Sequence, residues 1–177
     1  MDRRVIALLE RQLASGFPDI AGAEGSVTLP VSDRLLNELI SEGLPADGPV
    51  RELQVRARAD STFAVRVKVG SSSLLPSINL RVVIERQPEL PSAPVLTLRL
   101  EMGGLMAFAG PALRFLDKLP PGIRLDGELL HVDIAKLLAQ RGFDYLLEFL
   151  DQLRITTVEG ATVVALRVRV DRGRVRA

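Results

Sequence analysis

The chain lacks cysteine and tryptophan altogether and has a single histidine, His131, among its 177 residues. Without cysteine the protein forms no disulfide, has no thiolate nucleophile and offers no sulfur ligand to a metal ion. With one histidine the common zinc sites are excluded, and a Ser-His-Asp triad would have to use His131. No Gly-x-Ser-x-Gly segment supplies the nucleophile of such a triad. We therefore expect His131 to be a structural or surface residue, and we expect no enzyme activity, metal site or cofactor.

The chain also lacks an excess of charge and any long hydrophobic run. Its net charge of +1 creates no strong field for nucleic acid, and Tyr145 is the only tyrosine that could stack on bases. No stretch approaches the roughly 18 apolar residues that span a bilayer. The opening residues do not resemble a signal peptide, because Glu10 and Arg11 interrupt a short apolar run. We expect a cytoplasmic protein without a nucleic-acid partner, and transient contact with a membrane surface stays open.

Apolar residues recur at helical spacing in four segments. The first covers residues 3–15, and the second, Asp33 to Ser41, follows Ser32, a residue type that caps helix N-termini. Asp133 has the same capping character before the third segment, IAKLLAQ. Residues 143–150, FDYLLEFL, form the fourth apolar run. These segments predict helices, and we expect residues 171–177 to form a frayed tail.

From Val50 onward the apolar residues alternate with polar ones. Four consecutive segments show this period of two: VRELQVRARAD, TFAVRVKV, SINLRVVIE and VLTLRLE. Such alternation is typical of antiparallel strands with one apolar and one polar face. A strand or hairpin is predicted around Asp126-Gly127, two closing strands around Glu159-Gly160, and a short strand at GSVTLP. The polar faces carry mostly arginine, which we interpret as a solvated outer surface.

Long strands with one apolar face need a cover over that face. We therefore expect one domain, residues 1–177, of the α+β class, in which a highly twisted antiparallel sheet of about six strands wraps apolar helices. Two arrangements of the interior are compatible with this fold. Either the helices fill the concave side of the sheet completely, or they leave an elongated apolar slot.

The most apolar segment, GGLMAFAGPALRFLDKLPPG, lies between turn-forming residues at positions 103–122. Loops are usually polar because they run over the surface. We interpret the segment as a helix, or as the wall of a cavity, that packs against the concave side of the sheet. A loop that inserts into a membrane is the alternative.

Three stretches resemble bacterial relatives of the tubular lipid-binding (TULIP) superfamily: the strand and helix that end in SDRLLNELI, the segment LPPGIRLDGELLHVDIAKLL, and the closing strand pair. The resemblance covers about residues 26–170. It implies a curved antiparallel sheet that wraps a long helix and encloses a lipid-sized channel, and it implies binding or transfer of lipids without catalysis. Bacterial members often carry a signal or membrane anchor, and neither is visible in this sequence.

The predicted function is non-catalytic binding or transfer of a hydrophobic ligand, a lipid or fatty acyl chain. An acyl chain requires an apolar slot and few polar contacts. The predicted lining residues share apolar or aromatic side chains, with the Tyr145 hydroxyl available to a head group: Leu105, Met106, Phe108, Leu113, Phe115, Leu116, Tyr145, Leu146 and Phe149.

Two alternatives use other features of the chain. In the first, the protein is a structural or interaction module, and the same apolar residues are buried in a homodimer or against a partner. In the second, Asp126, Glu128 and Asp133 perform acid–base chemistry or bind calcium. A turn at Asp126 and a helix cap at Asp133 explain these carboxylates without chemistry.

Overall fold

The computed structural model describes residues 20–43, 50–69, 77–101 and 121–170. The described part contains nine strands, two α-helices and a 3-10 helix. In chain order they are β1 Glu24–Ser32, α1 Asp33–Gly43, β2 Val50–Arg58, β3 Thr62–Val69, β4 Ile78–Arg86, β5 Val95–Glu101, β6 Ile123–Asp126, β7 Leu129–Asp133, α2 Ile134–Gln140, the 3-10 helix Asp144–Glu148, β8 Leu150–Val158 and β9 Ala161–Arg169. The predicted helix at 3–15 and the tail at 171–177 lie outside these residues.

The α+β class and the antiparallel pairing are confirmed, but the described strands form two sheets where one sheet of about six strands was predicted. The larger sheet has the order β2-β3-β4-β5-β7-β6, and the smaller has the order β1-β9-β8. The smaller sheet exists because β1 pairs with β9 along its whole length, from Glu24–Arg169 to Ser32–Ala161. Alternation along a segment identifies a strand without identifying its partner, so this long-range pairing was not predicted.

The helix caps match their predictions. The Ser32 hydroxyl accepts a hydrogen bond from the Leu35 amide at 3.3 Å, and the Asp133 carboxylate accepts one from the Lys136 amide at 3.0 Å. The apolar run at 143–150 is only partly helical. It forms the short 3-10 helix Asp144–Glu148, and β8 begins at Leu150.

Helix α1 closes the outer edge of β2 with two side chains one turn apart. Asp33 Oδ1 accepts a hydrogen bond from the Ala57 amide at 2.9 Å. Asn37 Oδ1 accepts one from the Val55 amide at 2.7 Å, and Asn37 Nδ2 donates to the Val55 carbonyl at 2.7 Å. The two side chains replace a missing neighbouring strand, since they bond backbone groups that an edge strand would leave unpaired.

The two sheets meet where β8 crosses one end of the larger sheet. The Gln87 amide, just after β4, bonds both backbone groups of Ile155: Nε2 donates to the carbonyl at 2.6 Å, and Oε1 accepts from the amide at 2.8 Å. Two residues further along β8, the Thr157 hydroxyl accepts from the Thr62 amide at the start of β3, at 3.0 Å.

The same crossing reaches the end of β2 at the turn between β8 and β9. The Gly160 amide donates to the Ala57 carbonyl at 3.1 Å, and Arg58 pairs with Glu159 at 2.5 Å. From Ile155 to the turn after β8, successive residues therefore contact the ends of β4, β3 and β2, which is the order of these strands in the larger sheet. We name this junction of Gln87–Ile155, Thr62–Thr157 and Ala57–Gly160 the seam.

Replacing Gln87 with Met should test the seam, because Met has a similar size and cannot bond Ile155. The backbone groups of Ile155 would lose both partners, so we expect the free energy of unfolding to fall by about 2–3 kcal/mol. Chemical denaturation measures this change. The matched control is Gln152→Met on the exposed surface of β8, which should change stability by less than about 0.5 kcal/mol. Equal effects of the two substitutions would contradict the assigned role of Gln87.

Candidate ligand-binding surface

The larger sheet presents one continuous apolar face, produced by alternation in every strand and aligned by the strand register. The register places apolar side chains opposite one another in five cross-strand rows. We name these residues the apolar face: Leu53–Val67–Ile78, Val55–Val65–Leu80, Ala57–Phe63–Val82–Leu100, Ile84–Leu98–Leu130–Leu125 and Leu96–Val132–Ile123. From the first row to the fifth the face extends roughly 27 Å along the strands.

Burial of the apolar face is uneven. Ala57 and Val82 in the middle row are 0% and 5% exposed, and Leu96 and Leu100 are also buried. The other members of the face are half-buried, including all six in the first two rows. A packed core usually shields large apolar side chains more completely than this. The face therefore retains apolar surface that water can reach in the absence of a ligand or partner.

The opposite face of the larger sheet is polar and carries ion pairs between neighbouring strands. Arg99 pairs with Glu85 at 2.6 Å, and Arg81 pairs with Glu101 at 3.4 Å. These side chains are about half exposed, so each pair adds little stability. The arginine-rich surface predicted from the sequence is thus the polar face of the larger sheet, where Arg81 and Arg99 form ion pairs with glutamates on neighbouring strands.

Six of the predicted lining residues lie outside the described residues: Leu105, Met106, Phe108, Leu113, Phe115 and Leu116. The other three lie on or beside the 3-10 helix, which contacts α2. Tyr145, Leu146 and Phe149 are half-buried, and the Tyr145 ring meets the Phe143 ring edge-on, with 6.4 Å between centroids. The Arg169 amide donates to the Phe149 carbonyl at 2.8 Å, which joins this aromatic group to the smaller sheet.

The members of the apolar face were recognised from the sequence as strand residues, but they were not assigned to the ligand site. The available signal was the strict alternation in four consecutive segments. Only the register shows that these segments align into one surface, since the alternation does not say which residues of two strands are opposite each other.

Two open depressions lie on the polar surfaces. The first, of about 480 Å³, lies beside α1, where charged residues such as Arg34, Arg56 and Arg66 line it together with Val55, Val65 and Leu80. The second, of about 420 Å³, lies on the smaller sheet and is lined by residues that include Glu24, Thr28, Gln152, Arg154 and Arg167. Both linings mix charged and polar side chains with apolar ones, whereas an acyl chain needs mostly apolar surroundings.

The carboxylates considered for catalysis have structural roles or stand in a turn. Asp126 precedes Gly127, which turns the β6–β7 hairpin with a φ of 60°, and Asp133 caps α2. His131 lies on β7, where its Nδ1 is 3.3 Å from the Thr97 hydroxyl. Across the described ranges, no group of three or more histidine and acidic residues is arranged to hold a metal ion.

An ion-pair network ties the start of β1 to β9 on the polar face of the smaller sheet. Glu24 lies 3.2 Å from Arg167 and 2.9 Å from Arg169, and Asp151 lies 3.9 Å and 3.7 Å from the same two arginines. The hydrogen bond from Arg167, together with the positive charge of Arg169, lowers the pKa of the Glu24 carboxyl below its ordinary value.

Comparisons with known proteins identify no relative: no family model, no curated protein and no solved structure matches the chain. Among the described residues, no helix has both the length and the hydropathy needed to cross a bilayer.

Glu24→Gln should make stability less dependent on pH. Because the folded pKa of Glu24 is lowered, its ionised form stabilises the fold above the unfolded pKa, and this contribution is lost as pH falls through the folded pKa. We therefore expect the variant to be less stable than the parent at pH 7 and equally stable under strongly acidic conditions. Denaturant unfolding across this pH range measures the difference, and a difference that is constant with pH would exclude the proposed ionic contribution.

Proposed function

We propose that this chain binds a hydrophobic ligand, a lipid or fatty acyl chain, without catalysing a reaction on it. The observation that carries the proposal is the apolar face: it extends across all six strands of the larger sheet, and most of its side chains are only half-buried. A ligand lying along the strands would remove the remaining apolar surface from water.

The physical basis of binding is burial. Each methylene taken out of water contributes about 0.8 kcal/mol, and the ordering of ligand and protein offsets part of this gain. Rows such as Val55–Val65–Leu80 offer only aliphatic contacts, so they would recognise an acyl chain by its length and shape. The Tyr145 hydroxyl is the proposed partner of a polar head group.

We further propose that the chain belongs to the TULIP type of architecture, in which a sheet wraps its apolar contents. The order of strands and helices supports this assignment. The seam supports it as well, because it sets a second sheet across one end of the larger sheet. The interaction alternative, in which the apolar face is buried in a homodimer or against a partner, predicts that no lipid accompanies the purified protein.

Native mass spectrometry and organic extraction of the purified protein would test ligand binding directly. We expect a lipid to accompany the protein, and we expect a fluorescent fatty acid to bind and to raise the melting temperature as its concentration increases. A protein that carries no lipid, binds no fluorescent fatty acid and gains no thermal stability from it would refute the proposal.

A matched pair of substitutions on β3 locates the ligand. Val65 lies on the apolar face, and the adjacent Ala64 lies on the polar face between Arg56 and Arg81. Val65→Asp should weaken fatty-acid binding by about tenfold or more, which corresponds to ~1.4 kcal/mol, whereas Ala64→Asp should leave it unchanged. Val65→Trp provides a second variant that stays apolar but occupies the space of the ligand, and it should also weaken binding. Circular dichroism confirms that each variant is folded. Equal binding by all three folded variants would place the ligand elsewhere.

A further inference from the structure

Strand β1 is an edge strand whose side chains are almost entirely exposed. It borders the smaller sheet, where only β9 pairs with it, and every residue from Glu24 to Ser32 except Val31 is exposed. Val27 and Leu29 are 44% and 46% exposed, on the side of the strand opposite Thr28. Long edge strands with exposed apolar residues are sites at which another strand can add to a sheet.

The hydrogen bonds to β9 show which backbone groups of β1 face outward. The Val170 amide donates to the Ala23 carbonyl at 3.0 Å, and the Asp33 amide donates to the Gly160 carbonyl at 3.1 Å. Bonded and non-bonded pairs alternate along an antiparallel ladder. The odd-numbered residues of β1 therefore bond β9, and the even-numbered residues from Glu24 to Ser32 direct their backbone groups toward the outer edge.

Pro30 agrees with this assignment. It is even-numbered, so its missing amide falls on the outer edge and costs no hydrogen bond to β9. Within the described part of the chain, no backbone group bonds the outer edge of β1. The edge of β2 differs, because Asp33 and Asn37 close it.

We propose that the outer edge of β1 pairs antiparallel with β1 of a second copy of this chain, with Thr28 on the two-fold axis. Thr28 is the midpoint of the strand, so this register pairs all nine residues from Glu24 to Ser32. It forms hydrogen bonds between Thr28 and its own counterpart and between Glu24 and Ser32 of the second copy, and one bond from the Ser26 amide to the Pro30 carbonyl, because Pro30 has no amide to donate. The result is a continuous six-stranded sheet of order β8-β9-β1-β1-β9-β8.

The side chains favour a second copy as the occupant. In this register Val27 lies opposite Leu29 of the second copy, so two exposed apolar positions cover each other. Glu24 is the only charged residue on β1, it lies opposite Ser32, and Arg167 and Arg169 already pair with it. No like charges oppose one another across the axis. The pairing uses a strand edge of the smaller sheet, so it does not depend on lipid binding by the apolar face.

Charge substitutions at Thr28 test self-pairing, because only a symmetric pair places this residue opposite itself. Sedimentation velocity of the parent should show a concentration-dependent monomer–dimer equilibrium. Thr28→Lys and Thr28→Glu should each raise the dimer dissociation constant by about tenfold or more, since like charges then oppose each other. An equimolar mixture of the two variants should restore the dimer. Gln152→Lys, which adds the same charge at an exposed position on β8, should dimerise like the parent.

Single cysteines test the register, because the parent chain has none. In a bonded antiparallel pair the two Cα atoms are about 5.5 Å apart, within the range of a disulfide. Thr28→Cys should therefore cross-link to its own copy under mild oxidation. Ser26→Cys should not, since it lies opposite Pro30 and about 13 Å along the strand from its counterpart. A parent that is monomeric at all concentrations, a dimer unaffected by Thr28→Lys, or equal cross-linking at both positions would overturn the proposal.

Discussion

The arrangement of the molecule depends on side chains that bond backbone groups where strand pairing ends. Gln87 bonds both backbone groups of Ile155, and the Thr157 hydroxyl accepts from the Thr62 amide. Backbone groups at a strand edge need a partner, and leaving them unpaired in a buried junction costs free energy. These few bonds join the smaller sheet to one end of the larger one.

The apolar face and the polar face of the larger sheet both result from the alternation of apolar and polar residues along its strands. Each strand contributes to both, so a shift of register by one residue would exchange them. Cross-strand ion pairs such as Arg99–Glu85 occupy the outer side, and rows such as Ala57–Phe63–Val82–Leu100 occupy the other. On that face only Ala57, Val82, Leu96 and Leu100 are buried, and this incomplete burial is why we propose a hydrophobic ligand rather than chemistry at the scattered carboxylates.

The edge strands of the two sheets differ in whether side chains bond their outer backbone groups. Asp33 and Asn37 occupy the edge of β2 as a strand would, and Gln87 occupies part of the edge of β8. Strand β1 has exposed apolar side chains, a single charge at one end and a proline whose missing amide faces outward. The outer edge of β1 keeps its backbone carbonyls and, except at Pro30, its backbone amides, so another strand can pair with it. The edge of β2 has no such free groups where Asp33 and Asn37 bond it, and this difference underlies the proposed pairing of two copies.

The sequence by itself determined the local features. Alternation gave the strands of the larger sheet, Ser32 and Asp133 marked the starts of two helices, and Asp126-Gly127 marked a hairpin, because each of these signals acts within a few residues. Tertiary structure alone decided how the strands are shared between two sheets and how Gln87 meets Ile155, 68 residues further along the chain. It also decided that five rows of apolar side chains align into one surface. Pairing, register and sheet crossing are long-range choices governed by the burial of whole faces, and no short segment carries that information.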